Sequence, residues 1–316
     1  MKLDGIKRIG IAGAGTMGSG IALIFARKGY EVLVNDLSIT LLEDSRRLVD
    51  IFNQTLINEG LMTKEEEAKV MDNIQYTMDK SSFSDCDLII EAIVEKLDVK
   101  QDFWKEVESF AKPDAYFATN TSGLSINGIS EKIRDKSRFI GLHFWNPPHI
   151  VPLVELIKGD STAESTVKVL RSLMELIEKE PVVVQRDVPG FIGNRIQFAA
   201  FREALHILEE GVGTPEDIDK AMKYGPGFRY PVMGPLETSD LGGLDTFYYI
   251  SSYLFKSLSD GKEPTEKLQE LMDSGKHGVK SKEGFYDYSD GKDEEAIKRR
   301  DKMFLKMLKH IHMDDK

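Results

Sequence analysis

Residues 8–18, Arg-Ile-Gly-Ile-Ala-Gly-Ala-Gly-Thr-Met-Gly, constrain this chain more than any other stretch. They read as a short apolar strand, a glycine turn and the start of a helix. Gly13 permits a tight turn. Gly15, without a side chain, lets backbone approach a pyrophosphate, and Gly18 lets the helix lie close to the strand. The first helical residues, Thr16 and Met17, then offer unpaired N–H groups and a partial positive charge to the phosphates. Glu31-Val32-Leu33-Val34-Asn35 reads as a second strand, and Asp36 after it suits the hydroxyls of an adenosine ribose. A carboxylate there repels a 2′-phosphate, and no Arg or Lys stands among Leu37, Ser38, Ile39 and Thr40 to reverse that. The cofactor expected is therefore NAD rather than NADP.

The rest of the first half alternates strands and helices. A helix is expected from Leu41 to Gly60, with Leu41, Leu42, Leu48, Ile51, Phe52 and Leu56 at helical spacing. Thr63-Lys64-Glu65-Glu66 looks like an N-cap opening a second helix. This helical pair reads either as a packed surface hairpin or as an excursion towards substrate. Further strands are expected at 74–77, 85–93 (a buried parallel strand), 116–119, 139–142 and 182–184. Such alternation implies right-handed crossovers and an α/β fold, a doubly wound Rossmann-type sheet with ligands beyond the carboxyl ends of its strands.

The character changes at Asp187-Val188-Pro189-Gly190. Beyond it lie helical patterns and almost no strand: Phe191 to Glu210, a helix opened by Thr214-Pro215, one from about Asp245 to Leu258, and a last from Glu294 to His312. The last carries Phe304, Met307, Leu308 and Ile311 on one face. Two domains are expected, 1–187 binding the dinucleotide and 188–316 all-helical.

The net charge of −11 and the lack of a basic tract argue against nucleic acid as a partner. Cys86 is the only cysteine, so no intrachain disulfide is possible, in keeping with a reducing cytoplasm. The segment Met1-Lys2-Leu3-Asp4-Gly5 has no long apolar run of the secretory kind, and no stretch approaches membrane-spanning length. No membrane partner and no metal are expected.

Several polar residues stand where strands end. Asn120-Thr121-Ser122 follows one strand, and His143 closes the next in Leu142-His143-Phe144-Trp145-Asn146-Pro147-Pro148. Glu155 lies twelve residues on, in an apolar run, and Asn194 lies in the first turns of the helix opening the second domain. Taken alone, His143 reads as a hydrogen-bonded structural imidazole. Beside a nicotinamide site it reads as the base that alcohol oxidation needs. A carboxylate such as Glu155 would orient it and stabilise its protonated form, but spacing does not show that the two touch. Ser122 and Asn194 read either as caps or as donors to a substrate oxygen.

With these residues in hand, the sequence resembles the L-3-hydroxyacyl-CoA dehydrogenase family, which includes bacterial-type 3-hydroxybutyryl-CoA dehydrogenases. The resemblance covers nearly the whole chain. It runs through the glycine turn, 90–95 (Ile-Glu-Ala-Ile-Val-Glu), Asn120-Thr121-Ser122 and 143–147 (His-Phe-Trp-Asn-Pro). It continues through 187–195, Met233-Gly234-Pro235 and 284–288 (Gly-Phe-Tyr-Asp-Tyr). It implies His143 as catalytic base, Glu155 as its partner, and Ser122 and Asn194 holding the substrate's oxygens. It also implies cofactor contacts at Asp36, Glu95, Lys100 and Asn120, a homodimer through the helical domain, and substrate in the cleft between domains. The implied reaction is reversible NAD-linked oxidation of an L-3-hydroxyacyl-CoA.

One segment departs from the family's short-chain enzymes. Residues 225–233, Gly-Pro-Gly-Phe-Arg-Tyr-Pro-Val-Met, are closer to relatives that oxidise small non-CoA hydroxy acids, such as gulonate or carnitine dehydrogenases and lambda-crystallin. Arg229 reads either as a partner for a free carboxylate or as a surface arginine. Residues 143–147 keep the acyl-CoA enzymes' form. Arg46 and Arg47 read as a solvated face more readily than as a CoA phosphate site. A non-catalytic NAD-binding scaffold is the remaining alternative, and the full set His143, Glu155, Ser122 and Asn194 argues against it.

Overall fold

The computed structural model describes residues 3–311. The chain divides into two compact units, Met1–Gly193 and Asn194–Lys316. The first is built on eight strands: β1 (Arg8–Ala12), β2 (Glu31–Asn35), β3 (Ile74–Thr77), β4 (Leu88–Glu91), β5 (Tyr116–Thr119), β6 (Phe139–Phe144), β7 (Leu153–Ile157) and β8 (Glu180–Val184). Their order across the sheet is β3-β2-β1-β4-β5-β6-β7-β8. All neighbours run parallel except β6 and β7. The first six strands make the expected doubly wound sheet.

Helices α1 (Thr16–Arg27), α2 (Ile39–Asn58), α3 (Lys64–Asp72), α4 (Leu97–Glu108), α5 (Ile126–Ile129) and α6 (Glu164–Leu176) connect the strands. The hairpin of α2 and α3 forms as expected. Ser38 caps α2, and Thr63 with Glu66 closes a capping box on α3. Leu42, Ser45, Val49, Asn53 and Leu56 form the buried face of α2, whereas Leu41 is exposed off the edge of that stripe and Ile51 on the opposite face.

Two strands differ from expectation. The buried strand expected over 85–93 shortens to β4, because Asp85 ends a 3-10 turn and the Asp87 carboxylate instead accepts the Lys7 and Arg8 N–H groups. The run around Glu155, not foreseen as a strand, is β7. The core lies under the sheet around Trp104, whose ring packs against Phe103, Phe117 and Phe139. Cys86 is buried in the same cluster, and burial pushes its thiol up to about 12.

The second unit is helical: α7 (Gly193–Glu209, starting on the last residue of the first unit), α8 (Pro215–Tyr224), α9 (Pro226–Arg229), α10 (Pro235–Gly242), α11 (Leu244–Leu254), α12 (Glu266–Asp273) and α13 (Lys292–Ile311). Thr214 caps α8 with Pro215 in its first turn, as expected. Other bounds shift. The long helix begins at Gly193 rather than Phe191, because Gly190 and Phe191 both adopt left-handed backbone (φ 76° and 52°). The third expected helix closes at Leu254, not Leu258, while α9, α10 and α12 were not foreseen. In α13 the buried apolar side chain among the described residues is Leu305, with Phe304 and Met307 exposed. His312 and the side chain of Ile311 lie outside the described residues.

Candidate active site

The turn after β1 is held open by close packing. A Cβ on Gly13 (φ 105°) would lie 2.5 Å from the Ala92 carbonyl oxygen at the end of β4, and one on Gly18 would lie 1.9 Å from the Gly13 carbonyl oxygen. Nothing stands within 4 Å of a Cβ position on Gly15. Gly15 and Thr16 are exposed, Met17 is half-buried, and no side chain caps α1. A helix N-terminus left uncapped beside open space fits a pyrophosphate. Asp36 ties this turn to β2. Its carboxylate accepts from Ala14 N (2.9 Å) and Leu37 N (2.7 Å) and keeps acceptor capacity for ribose hydroxyls.

The carboxyl ends of β4 and β5 hold a buried charge cluster. Lys100 of α4 is 1% exposed, and its Nζ lies 2.7 Å from Glu91 and 3.2 Å from Glu95. Burial pushes the Glu91 carboxyl up, against the pull of Lys100 and of the Thr119 hydroxyl that donates to it. For Glu95 burial is outweighed: the Thr121 hydroxyl (2.5 Å), Lys100 and Ser122 N (3.0 Å) hold its carboxyl below the ordinary value. Glu95, paired with Lys100, thus grips the turn that carries Ser122, which is exposed. Asn120, nearly buried, accepts from Phe144 N through Oδ1 at 2.8 Å and locks that turn to β6. Sequence reading passed over Glu91, because a carboxylate inside a strand pattern gives no local sign that a lysine nine residues on will reach it.

The antiparallel pairing of β6 and β7 sets His143 directly opposite Glu155. Side chains at paired positions share one face of the sheet, and His143 Nδ1 lies 2.8 Å from Glu155 Oε2. Both residues are buried, at 4% and 1% exposure. Trp145 Nε1 donates to the same oxygen at 3.3 Å. Ile192 and Gly193 donate their backbone N–H groups to Glu155 Oε1 at 3.0 and 2.9 Å. The left-handed turn at Gly190-Phe191 presents those N–H groups, and the Phe191 ring sits 5.8 Å from that of His143. Burial alone would raise the Glu155 carboxyl; the four donors hold it below its ordinary value. An ionised Glu155 accepts only, so His143 carries its proton on Nδ1 and leaves Nε2 to take one.

The loop between β6 and β7 is clamped from below. Lys179, at the entry to β8, donates to the carbonyls of Pro148 (2.6 Å) and Val151 (2.8 Å), and His149 stacks on Phe52 of α2. Asn194, half-buried, is the first residue of the second unit, next in the chain to the Gly193 that grips Glu155. Arg229 is exposed, as are Arg46 and Arg47, the latter paired with Asp44. Among the described residues, no cluster of potential metal ligands occurs and no helix is long and apolar enough to cross a membrane.

Residues 8–188 match the model of the 3-hydroxyacyl-CoA dehydrogenase NAD-binding domain, and residues 190–288 match that family's C-terminal domain. The chain belongs to the 3-hydroxyacyl-CoA dehydrogenase family. It is an NAD-dependent dehydrogenase, with the Rossmann-type sheet and helical C-terminal region of that family. A 3-hydroxybutyryl-CoA dehydrogenase of Bradyrhizobium diazoefficiens is 38% identical over 91% of this chain and 97% of its own. The crystal structure of a Ralstonia eutropha (S)-3-hydroxybutyryl-CoA dehydrogenase is 34% identical, with a TM-score of 0.75 over 90% of this chain and 99% of its own. That of a 5-formyl-3-hydroxy-2-methylpyridine 4-carboxylic acid 5-dehydrogenase, an NAD-dependent dismutase, is 32% identical, with a TM-score of 0.91 over 98% of this chain and 99% of its own.

Proposed function

We propose that this family member reversibly oxidises the 3-hydroxyl of an L-3-hydroxyacyl-CoA, short-chain substrates such as 3-hydroxybutyryl-CoA being the first to test. A bound NAD would supply the acceptor for the hydride leaving C3. His143 Nε2 takes the hydroxyl proton, and the ionised Glu155 stabilises the resulting imidazolium. Ser122 and Asn194 hold the substrate's oxygens, so that the reacting carbon meets the cofactor already oriented. Gly13, Gly15, Thr16, Met17 and Gly18 seat the pyrophosphate and Asp36 the adenosine ribose, while Glu95, Lys100 and Asn120 shape the nicotinamide end. The observation that carries this reading is the 2.8 Å contact of His143 with a carboxylate that four donors keep charged.

A second reading keeps the chemistry and replaces the thioester by a small free acid. It is favoured by the segment 225–233 and by the higher TM-score and coverage with the pyridine carboxylate dehydrogenase. An NAD-linked panel of 3-hydroxybutyryl-CoA, longer 3-hydroxyacyl-CoAs, carnitine, gulonate and the formylpyridine carboxylate decides between them. A higher kcat/KM for any free acid than for every thioester overturns the first reading.

The protein acts as a homodimer through its helical unit and works in the cytoplasm. The dimer is supported by the exposed apolar side chains of α7 and α11, Phe198, Tyr248, Tyr249 and Tyr253 among them. A monomer mass from sedimentation at micromolar concentration overturns it.

A further inference from the structure

We infer that Trp145 is a positioning residue for the His143–Glu155 pair, and that Gly193 is a glycine because the Trp145 indole needs its space. The inference rests on His143 acting as the base. Trp145 follows β6 directly, and its Nε1 shares Glu155 Oε2 with His143 Nδ1. The edge of the same indole next to Nε1 lies on Gly193: a Cβ there would stand 2.3 Å from Trp145 Cζ2 and 3.1 Å from Cε2. Gly193 is not among the residues with left-handed backbone, so conformation does not demand a glycine. Space does.

Gly193 therefore serves the carboxylate twice. Its N–H grips Oε1, and its missing side chain lets the indole reach Oε2. Of the donors to Glu155, the indole alone is a side chain that neither titrates nor exchanges a proton in the reaction. It draws negative charge away from the oxygen facing His143 and blocks rotation of the carboxylate. Without it, Oε2 binds the protonated imidazole more strongly, so the base is protonated over a wider pH range.

Trp145→Phe keeps a ring and removes the N–H. On the best substrate of the panel, it should move the acidic limb of the oxidation pH profile up by about half a pH unit, with KM for NAD unchanged. A purely structural tryptophan would lower kcat without moving that limb. Gly193→Ala should lower kcat about tenfold or more by expelling the indole, yet cost less than about threefold in the Trp145→Phe background, where Cζ2 is gone. Fluorescence gives a readout without turnover. The chain has two tryptophans, and Trp104 is fully buried. The difference spectrum between the unmodified protein and Trp145→Phe isolates Trp145, and repeating that pair with Glu155→Gln in both backgrounds should give a shifted difference spectrum.

An unmoved limb overturns the inference, as does an equal cost of Gly193→Ala in both backgrounds or an unshifted difference spectrum. His143→Gln is run alongside. Near-normal turnover there defeats the reading of His143 as base, whereas an inactive His143→Gln with an unmoved Trp145→Phe limb defeats this inference alone.

Discussion

The two units of the chain solve the problem of stability differently. The first closes a core of its own. Trp104, Phe25, Phe83, Phe139 and Phe144 are all buried there, and strands place His143 and Glu155 side by side. The second unit, Asn194–Lys316, buries only Leu205 and Leu305 among its described large apolar side chains, while Phe198, Phe228, Leu236, Leu241, Tyr248 and Phe255 are at least half exposed. A unit of that size with so little buried apolar area does not offset the entropy of ordering its backbone. The first unit carries the His143–Glu155 pair on a core of its own, whereas the second leaves most of its apolar side chains exposed.

The largest effect expected tests the pair that the first unit holds. His143→Gln should lower turnover by about 10²–10⁴-fold, the usual worth of a general base. NADH binding, followed by fluorescence, should be retained because the glycine turn is untouched. Near-normal turnover in the folded variant would remove His143 from the reaction. Glu155→Gln should impair turnover too, since an amide offers one acceptor oxygen where the carboxylate meets donors on both of its oxygens. If the two residues act as one, the double variant should be little worse than the worse single variant.

The next effect concerns the second unit. If its exposed aromatic residues meet a second copy, melting of the unmodified protein should depend on concentration. Phe198→Glu with Tyr253→Glu should then yield a monomer in which the helical unit melts several degrees earlier than the sheet unit. Concentration-independent melting would show that the second unit stands unaided and would erase the contrast.

These contrasts bear on what was legible in the sequence. The glycine turn was readable because its determinants lie within a dozen residues, and Gly13 and Gly18 make the tight turn and close helix approach that the pattern implies. The His143–Glu155 contact was implied by the resemblance but not readable from spacing, because it is set by antiparallel register between β6 and β7. The run Leu153-Val154-Glu155-Leu156-Ile157 is too short and too uniformly apolar to declare a period. The start of α7 was misplaced for a related reason. Phe191 looks like the first residue of an apolar helix stripe, but its left-handed backbone turns two N–H groups onto Glu155. In the second unit, propensity marked three helices and the start of a fourth, but α9, α10 and α12 are at most 8 residues long, too short for an apolar period to show.

A smaller effect tests the turn itself. Asp36→Ala should raise the relative kcat/KM for NADP over NAD by about tenfold, since it removes the charge expected to face a 2′-phosphate. It also leaves Ala14 N without its 2.9 Å acceptor, so KM for NAD should rise as well. Equal efficiency with NAD and NADP in the unmodified protein would free Asp36 of the discriminating role.

The smallest effect is on stability against pH, and it again separates the units. The folded Glu155 carboxyl lies below its ordinary value because, despite its burial, four donors favour the charged form. In the unfolded chain it titrates near the ordinary value for glutamate, about 4.3. Between the two, the unfolded state binds more protons than the folded one, so stability rises with pH across that window. The contribution is fully present above the unfolded value and is lost as pH falls through the folded one. Glu155→Gln removes this titration and leaves the amide NH₂ against unanswered donors. The variant should be less stable at neutral pH, and the gap should narrow as pH drops below about 4. Hydrogen exchange followed separately for β6–β7 and for α8 measures it. Lost protection confined to the first unit is expected, while equal loss in α8 would mean that Glu155 supports the whole chain rather than the pair it was read to serve.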